Sequence, residues 1–305
     1  MIEEPFVVQW RSLNLVGSLH LPDSQAPHPL VVMMQGSGAS DRTSNGYFPP
    51  IRDAFLAKGM ATYAFDKPGC GDSSGDWRDH GLYDRADQVE AVVGSLLHHS
   101  EVDAEAVGVW GQSQGGWLAQ MLAASLPDLS FAIANSGPSI DLPSQDLYNC
   151  EHTMRADGYS DADIDLALTF VADIHEAARQ GLPYETVDAQ ILQPARSQSW
   201  YDGPIEDEAD WRLTTKFVIE EYEPVATIRT IRCPFLAIYG GRDLLLPAWQ
   251  SAQESGHALQ EAGNHDSTVI VFPEGDHRIQ QQGSFIPSYL DLLTDWAATH
   301  TRPRT

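Results

Sequence analysis

A serine in a tight, glycine-flanked turn, Gly111–Gly115 (GQSQG), most constrains what this chain can fold into. The apolar run Ala106–Trp110 before the turn is typical of a buried strand, and residues 116–125 after it have helical spacing. A G-x-S-x-G pattern between a strand and a helix forms a nucleophile elbow, which holds the serine in strained backbone. The elbow presents the hydroxyl at the carboxyl end of a sheet, beside a helix N-terminus that favours negative charge. The sequence therefore predicts Ser113 as a nucleophile.

Two polar residues that follow later strands complete a candidate triad. The buried-strand pattern Pro234–Tyr239 leads to Asp243, and the β-rich run Ser267–Phe272 leads to His277. Both residues therefore lie just past strand ends, where open α/β sheets bind their ligands. Either residue alone would be interpreted as a solvated loop residue. Because a histidine can take the serine proton and a carboxylate can fix its tautomer, the set predicts a Ser113, Asp243 and His277 triad.

Two neighbouring residues compete for these roles. His265 precedes the last predicted strand, so we expect it at the opposite edge of the sheet. Asp276 adjoins His277, and a chain neighbour rarely has the geometry to hold the next imidazole. No spacing of His, Cys and carboxylate residues suits zinc, so we predict neither a metal nor a cofactor.

The turn after the third predicted strand supplies a candidate oxyanion hole. An oxyanion is stabilised by backbone N–H groups directed at it, and glycines let the backbone approach closely. Leu30–Met34 is the predicted strand, and Gln35–Gly38 follows it. We predict the N–H groups of Ser37 and Gln114 as the two donors, with a plain glycine-rich turn as the alternative.

Eight apolar segments are predicted strands, and helical segments alternate with most of them. The segments are Phe6–Trp10, Leu15–Leu21, Leu30–Met34, Ala61–Phe65, Ala106–Trp110, Phe131–Ala134, Pro234–Tyr239 and Thr268–Phe272. The first two form a predicted antiparallel pair. The alternation that follows predicts an α/β fold with a mostly parallel, eight-stranded, doubly wound sheet.

The alternation stops between Gly137 and about Glu223, in a stretch too long for a plain loop. We predict a core domain of residues 1–136 and 224–305 and an inserted helical cap of residues 137–223, which covers the crevice. Within it, Ser160 is a predicted helix N-cap. The many aromatic residues of the cap suit a ligand pocket, although aromatics at helical spacing usually pack against the domain below. Trp200 and Tyr201, adjacent in an apparent loop, are the predicted substrate-binding residues.

The charge balance limits the partners of this chain. Asp and Glu total 43 against 18 Lys and Arg, which gives a net charge of −25. With no basic run to neutralise phosphates, we expect no nucleic-acid partner. We expect no membrane partner, because no segment is apolar enough to span a bilayer and the N-terminus has no signal-peptide pattern. Three scattered cysteines do not form a disulfide framework, which favours a cytoplasmic protein.

Five segments carry a resemblance to a known family: Gln35–Arg42, Phe65–Gly75, Gly111–Gly115, Gly240–Asp243 and Gly275–His277. Together they resemble the α/β-hydrolase superfamily, and are most similar to its esterase branch, grouped with dienelactone hydrolases and serine aminopeptidases. The resemblance implies the α/β-hydrolase fold and serine hydrolase activity, with the triad in the order Ser, Asp, His. Members of this family usually carry His where this chain has Gln35. The change to Gln leaves the backbone donors intact but is expected to alter the hydrogen bonding around them.

These observations predict a cytoplasmic serine hydrolase, monomer or homodimer, that cleaves neutral small-to-medium carboxylic esters through an acyl-enzyme. Other hypotheses stay open on the same triad. One is a peptidase or aminopeptidase, in which Glu206, Asp207 and Glu208 would bind the ammonium of the substrate. Such a cluster of acidic residues is more often simply solvated. A thioesterase, a carbon–carbon bond hydrolase and a ligand-binding receptor of the same fold are the others.

Overall fold

An eight-stranded sheet forms the centre of the protein in the computed structural model, which describes residues 1–301. Its strands are β1 (Ile2–Trp10), β2 (Leu13–Leu21), β3 (His28–Met34), β4 (Ala61–Phe65), β5 (Val102–Gln112), β6 (Phe131–Asn135), β7 (Phe235–Gly240) and β8 (Ser267–Phe272). Their spatial order is β1-β2-β4-β3-β5-β6-β7-β8. β2 runs antiparallel to both of its neighbours, and strands β3 to β8 run parallel. Two short strands, β9 (Gln280–Gln281) and β10 (Ser284–Phe285), form a separate hairpin.

All eight predicted strands of this sheet are present. In β4, β6 and β7 every residue is buried, as expected for parallel strands covered on both faces. β5 begins at Val102, four residues earlier than predicted, because residues 103–105 continue the extended backbone past the buried part of the strand. The apolar pattern reports only the buried part of a strand, so it misses such an extension.

Helices cover both faces of the sheet. The α-helices of the described residues, including those of the stretch that follows β6, are α1 (Phe48–Ala57), α2 (Leu82–Leu96), α3 (Gln114–Ser125), α4 (Leu142–Ala156), α5 (Asp161–Arg179), α6 (Tyr184–Val187), α7 (Gln193–Ala195), α8 (Glu208–Ile219), α9 (Pro224–Ile228), α10 (Ala248–Glu261) and α11 (Tyr289–His300). Side chains of α1 and α11, such as Phe55 and Leu293, share one apolar cluster with the sheet. Side chains of α2, α3, α9 and α10 share the other, around Val92, Leu122 and Leu259. The fold is therefore the predicted doubly wound α/β arrangement.

Residues 137–223, between β6 and α9, contain α4 to α8. Ser160 caps α5 as predicted, since its Oγ accepts a hydrogen bond of 3.2 Å from the N–H of Asp163. A local apolar cluster joins α5, α6 and α8. Its buried members are Ile174, Ala177, Ala178, Val187, Leu192, Ile205, Trp211 and Val218. We call this stretch, residues 137–223, the cap segment.

Candidate active site

Ser113 lies at the sharp turn that joins β5 to α3. Its backbone has φ 58° and ψ −120°, a conformation that costs a non-glycine residue about 1–3 kcal/mol. The turn leaves no room for side chains at its glycines: a Cβ on Gly111 would collide with the carbonyl of Gly115, and one on Gly115 with the carbonyl of Met34. Ser113 is half-buried, and its N–H donates to the carbonyl of Asn135 over 2.9 Å. These constraints hold the serine in the predicted elbow.

Asp243 and His277 form a close pair. The Nδ1 of His277 lies 2.6 Å from the Oδ2 of Asp243, whose side chain is buried. The other carboxylate oxygen accepts from the N–H of Leu245 over 2.7 Å, which fixes the carboxylate in its loop. The carboxylate therefore favours the tautomer with its proton on Nδ1. The Nε2 of His277 is buried and has no hydrogen-bond partner within residues 1–301, so its lone pair is available to accept a proton.

Strand register places Ser113 at the same edge of the sheet as this pair. Gln112, at the end of β5, aligns with Asn135, and Gly240 aligns with Phe272, at the end of β8. The parallel strands therefore release all three candidate triad residues at their carboxyl ends. The structure brings Asp243 and His277 into contact but records no hydrogen bond between Ser113 and His277. Such bonds are often long in a free enzyme and tighten when substrate binds.

The loop after β3, residues 35–38, lies against the elbow. A Cβ on Gly36 would be 3.2 Å from the Cβ of Ser113. The buried ammonium of Lys67 donates to the carbonyls of Gly36 and, over 2.7 Å, Gly38 in this loop. The peptide between Gly36 and Ser37 is trans, so its N–H points opposite to its carbonyl. Lys67 thus directs the Ser37 N–H away from itself. We call residues 35–38, which contain the candidate donor Ser37, the oxyanion loop.

Gln114 provides the other candidate donor. It is the first residue of α3, where a helix leaves its N–H groups without intrahelical partners. Its side-chain Oε1 accepts from the guanidinium of Arg85, a side chain only 5% exposed. Both candidate donor residues are therefore supported by a buried cation, Lys67 on one side and Arg85 on the other.

Residues 31–284 match the alpha/beta hydrolase family, a span that includes the elbow, the Asp243–His277 pair and the oxyanion loop. The chain belongs to the alpha/beta hydrolase family. Family membership supports hydrolase activity.

Two proteins are similar to this chain in sequence. An uncharacterized 31.7 kDa protein of the traX-finO intergenic region of Escherichia coli is 23% identical over 304 residues, covering 93% of this chain and 95% of that protein. The 2,6-dihydropseudooxynicotine hydrolase of Paenarthrobacter nicotinovorans is 35% identical over 129 residues, 42% of this chain and 33% of that enzyme. The second match therefore concerns one part of each protein.

Solved structures share the whole fold. An esterase of Pyrococcus furiosus superposes with a TM-score of 0.65 at 16% identity, over 98% of this chain and 90% of that one. The esterase Est1E of Butyrivibrio proteoclasticus, with ferulic acid bound, gives a TM-score of 0.60 at 18% identity, over 96% of both chains. At such low identity these superpositions establish the fold alone.

Gln35, the residue that departs from the resemblance, connects two loops. Its side-chain nitrogen donates to the carbonyl of Phe65 over 2.5 Å and to that of Asp41 over 3.1 Å. Gln35 therefore anchors the start of the oxyanion loop to the end of β4. An amide supplies the two donors that these carbonyls need.

The two buried cations are functional candidates that the sequence analysis missed. Burial lowers the pKa of Lys67 well below its ordinary value, with a further lowering from the positive charge of Arg85. Burial also lowers the pKa of Arg85, to about 10. In sequence, Lys67 stood in a segment that carries the family resemblance, and it is one of three lysines in a strongly acidic chain. The rarity of lysine in this chain was the signal that could have drawn attention to Lys67. The sequence could not show its burial, because its hydrogen bonds are made with a loop about 30 residues earlier in the chain.

The competing residues lie where the sequence placed them or serve other roles. His265 precedes β8 and is exposed, so it lies at the opposite edge from His277. Asp276 accepts hydrogen bonds from the N–H groups of Arg278 and Gln280, which makes it a turn residue. Asp207 caps α8 and pairs with the guanidinium of Arg78 over 3.1 Å, which engages the central member of the acidic run in local structure.

Trp200 and Tyr201 line a cavity of about 520 Å³ inside the cap segment. The ring of Phe170 lies 5.6 Å from each of theirs, so the three aromatics form one wall. The cavity lining comes from residues 146–214, and none of the candidate triad residues is part of it. On the other side of α4, the hydroxyl of Tyr148 donates to the carbonyl of Asp243 over 3.3 Å. The predicted pocket residues thus lie together, separated from the Asp243 loop by one helix.

Two further properties concern the described part of the chain as a whole. Within residues 1–301, no group of three or more His, Cys, Asp or Glu side chains is arranged to hold a metal ion. No helix in that range is long and apolar enough to cross a membrane.

Proposed function

We propose that this protein is a serine hydrolase that cleaves carboxylic esters through an acyl-enzyme intermediate. The 2.6 Å contact between His277 and Asp243, at the sheet edge where the elbow presents Ser113, carries the proposal. The names of the hydrolase and esterase relatives agree with the reaction class.

The proposed chemistry assigns one role to each group. The Oγ of Ser113 attacks the ester carbonyl while the Nε2 of His277 takes its proton, and Asp243 stabilises the imidazolium that forms. The N–H groups of Ser37 and Gln114 donate to the oxyanion of the tetrahedral intermediate. His277 then protonates the leaving alcohol, and the acyl group stays on Ser113. A water then attacks the acyl-enzyme while His277 takes its proton. His277 returns a proton to the Oγ of Ser113 as the acid leaves.

We propose small-to-medium esters without negative charge as substrates. The net charge of −25 disfavours anionic substrates at long range. The cavity lined by Trp200 and Tyr201, which α4 separates from the Asp243 loop, has a volume within the range of roughly 300–1,000 Å³ that ligand pockets occupy, and it is the candidate pocket for the acyl chain. A panel of p-nitrophenyl esters, aminoacyl anilides and acyl-CoA thioesters tests this choice. Highest kcat/KM on a neutral ester supports it, and highest kcat/KM on an aminoacyl anilide would favour an aminopeptidase.

Replacing each of the two histidines near β8 should have opposite effects on activity: a large loss for His277 and almost none for His265. His277→Ala is expected to lower kcat/KM by a factor on the order of 10³ or more, because no other side chain takes the serine proton. His265→Ala is the matched control and should retain nearly full kcat/KM. A reversed ranking of the two variants would contradict the assignment.

Trp200→Ala should change acyl-chain preference. Each buried methylene contributes about 0.8 kcal/mol, so kcat/KM should rise several-fold per added CH₂ until the pocket is full. Removing the indole enlarges the cavity and should move the optimum to longer chains. Trp249→Ala is the control, since that indole is 60% exposed. An unchanged optimum in Trp200→Ala would exclude this cavity as the acyl pocket.

A further inference from the structure

A small cavity lies behind the oxyanion loop, next to both buried cations. Its volume is about 20 Å³, room for a single small occupant, since about 10–15 Å³ is enough for one water. Its polar lining consists of Gln35, Lys67, His80, Arg85 and Gln88, and its other lining residues are apolar or aromatic. No carboxylate lines the cavity.

The two cations of this cavity have no acidic partner within ion-pair distance among residues 1–301. Lys67 donates to the carbonyls of the oxyanion loop, and Arg85 donates to the amide oxygen of Gln114. The acid whose charge acts most on Arg85 is Glu220, but its carboxylate accepts from the N–H of Leu82. Burying two cationic side chains without an acid in ion-pair contact is costly, and this burial is what lowers the pKa of both Lys67 and Arg85.

Buried donors without partners surround the same space. The Nη2 of Arg85 and the Nε2 of Gln88 are buried and have no hydrogen-bond partner in the part of the chain that the structure describes. Arg85 is 5% and Gln88 2% exposed, so bulk water does not satisfy them. Guanidinium, ammonium and amide N–H groups all donate, so the cavity calls for an occupant that accepts several hydrogen bonds.

We propose that this cavity binds one monoatomic anion, chloride or another halide, between Lys67, Arg85 and Gln88. A space this small favours a monoatomic ion over phosphate, sulfate or an organic acid. A halide accepts from every donor and places a full negative charge beside the two cations, whereas a water is neutral. The bound halide supplies the missing negative charge. It also braces the two side chains that support the oxyanion donors, Lys67 at the oxyanion loop and Arg85 at Gln114.

Bromide locates the site directly, because its anomalous scattering distinguishes it from water. Crystals of the unaltered protein grown with sodium bromide should show an anomalous peak within hydrogen-bond distance of the Arg85 Nη2 and Gln88 Nε2. A feature without anomalous signal at that position, refined as a water, would overturn the proposal. Neither this readout nor the next depends on catalysis, so the halide site is tested separately from the proposed function.

Thermal unfolding provides the solution test. At constant ionic strength, replacing an inert large anion with chloride should raise the melting temperature along a saturable curve, as for a ligand of the folded state. Gln88→Leu keeps both charges but removes one donor, so the apparent Kd for chloride should rise roughly tenfold. Gln180→Leu is the control, because that amide binds Glu176 at the surface. No saturable chloride effect, or equal Kd values in both variants, would contradict the proposal.

Discussion

Ser113→Ala should fold as the unaltered protein does and lose on the order of 10³-fold or more in kcat. The fold is expected to survive because alanine meets the same backbone strain at φ 58° as serine and fills nearly the same volume. The activity is expected to collapse because triad members act as a unit, leaving only the contribution of binding and of the oxyanion donors. Steady-state kinetics on a p-nitrophenyl ester, with circular dichroism as the folding check, measures both.

Ser125→Ala is the matched control for this change. Ser125 ends the same helix, α3, and its hydroxyl donates to Glu90 at the surface. It should keep essentially full turnover. A Ser113→Ala protein with more than a tenth of the normal kcat would remove Ser113 from the role of nucleophile.

Lys67→Met should lower kcat about 10- to 100-fold with little change in KM. Without the ammonium, the carbonyls of Gly36 and Gly38 lose the donor that holds them, so the Ser37 N–H is no longer fixed in direction. Loss of one oxyanion donor costs about 10²–10³ in kcat, and loss of its support should cost less. KM should be spared because these donors act on charge that develops in the transition state.

The melting temperature and a control variant at a second lysine distinguish this positioning role from a purely structural one. Replacing a buried, unpaired charge with an apolar side chain is often neutral or stabilising, so the melting temperature of Lys67→Met should not fall in proportion to kcat. Lys58→Met is the control, because that ammonium pairs with Asp295 at the surface. Lys67→Arg keeps the charge and should recover part of the lost kcat. An unchanged kcat in Lys67→Met would show that Lys67 does not position the oxyanion loop.

The features that the sequence predicted well depend on residues that are close together in the chain. The elbow needs small residues within five positions, so Gly111, Ser113 and Gly115 could be recognised together. The eight strands follow from apolar runs bounded by turns, and parallel pairing then places Asp243 and His277 at one edge with Ser113. Their close pairing needed only that each follow its strand within a few residues.

The features that the sequence did not reveal depend on contacts between distant segments. Lys67 and Arg85 are buried because the oxyanion loop and α3 pack over them, and no local pattern marks a lysine or arginine as buried. The aromatic pair Trp200 and Tyr201 was predicted as a pocket, but its separation from the Asp243 loop follows from where α4 lies. Helix placement of this kind is decided by packing between elements.

Covalent labelling with a fluorophosphonate tests the central claim most directly. The reagent phosphonylates a serine only when its hydroxyl is activated, and peptide mass spectrometry identifies the residue that carries the adduct. We predict a single adduct on Ser113, formed rapidly in the unaltered protein, greatly slowed in His277→Ala and absent in Ser113→Ala. Labelling of another residue, or no labelling of folded protein, would contradict the proposal that this alpha/beta hydrolase works through Ser113.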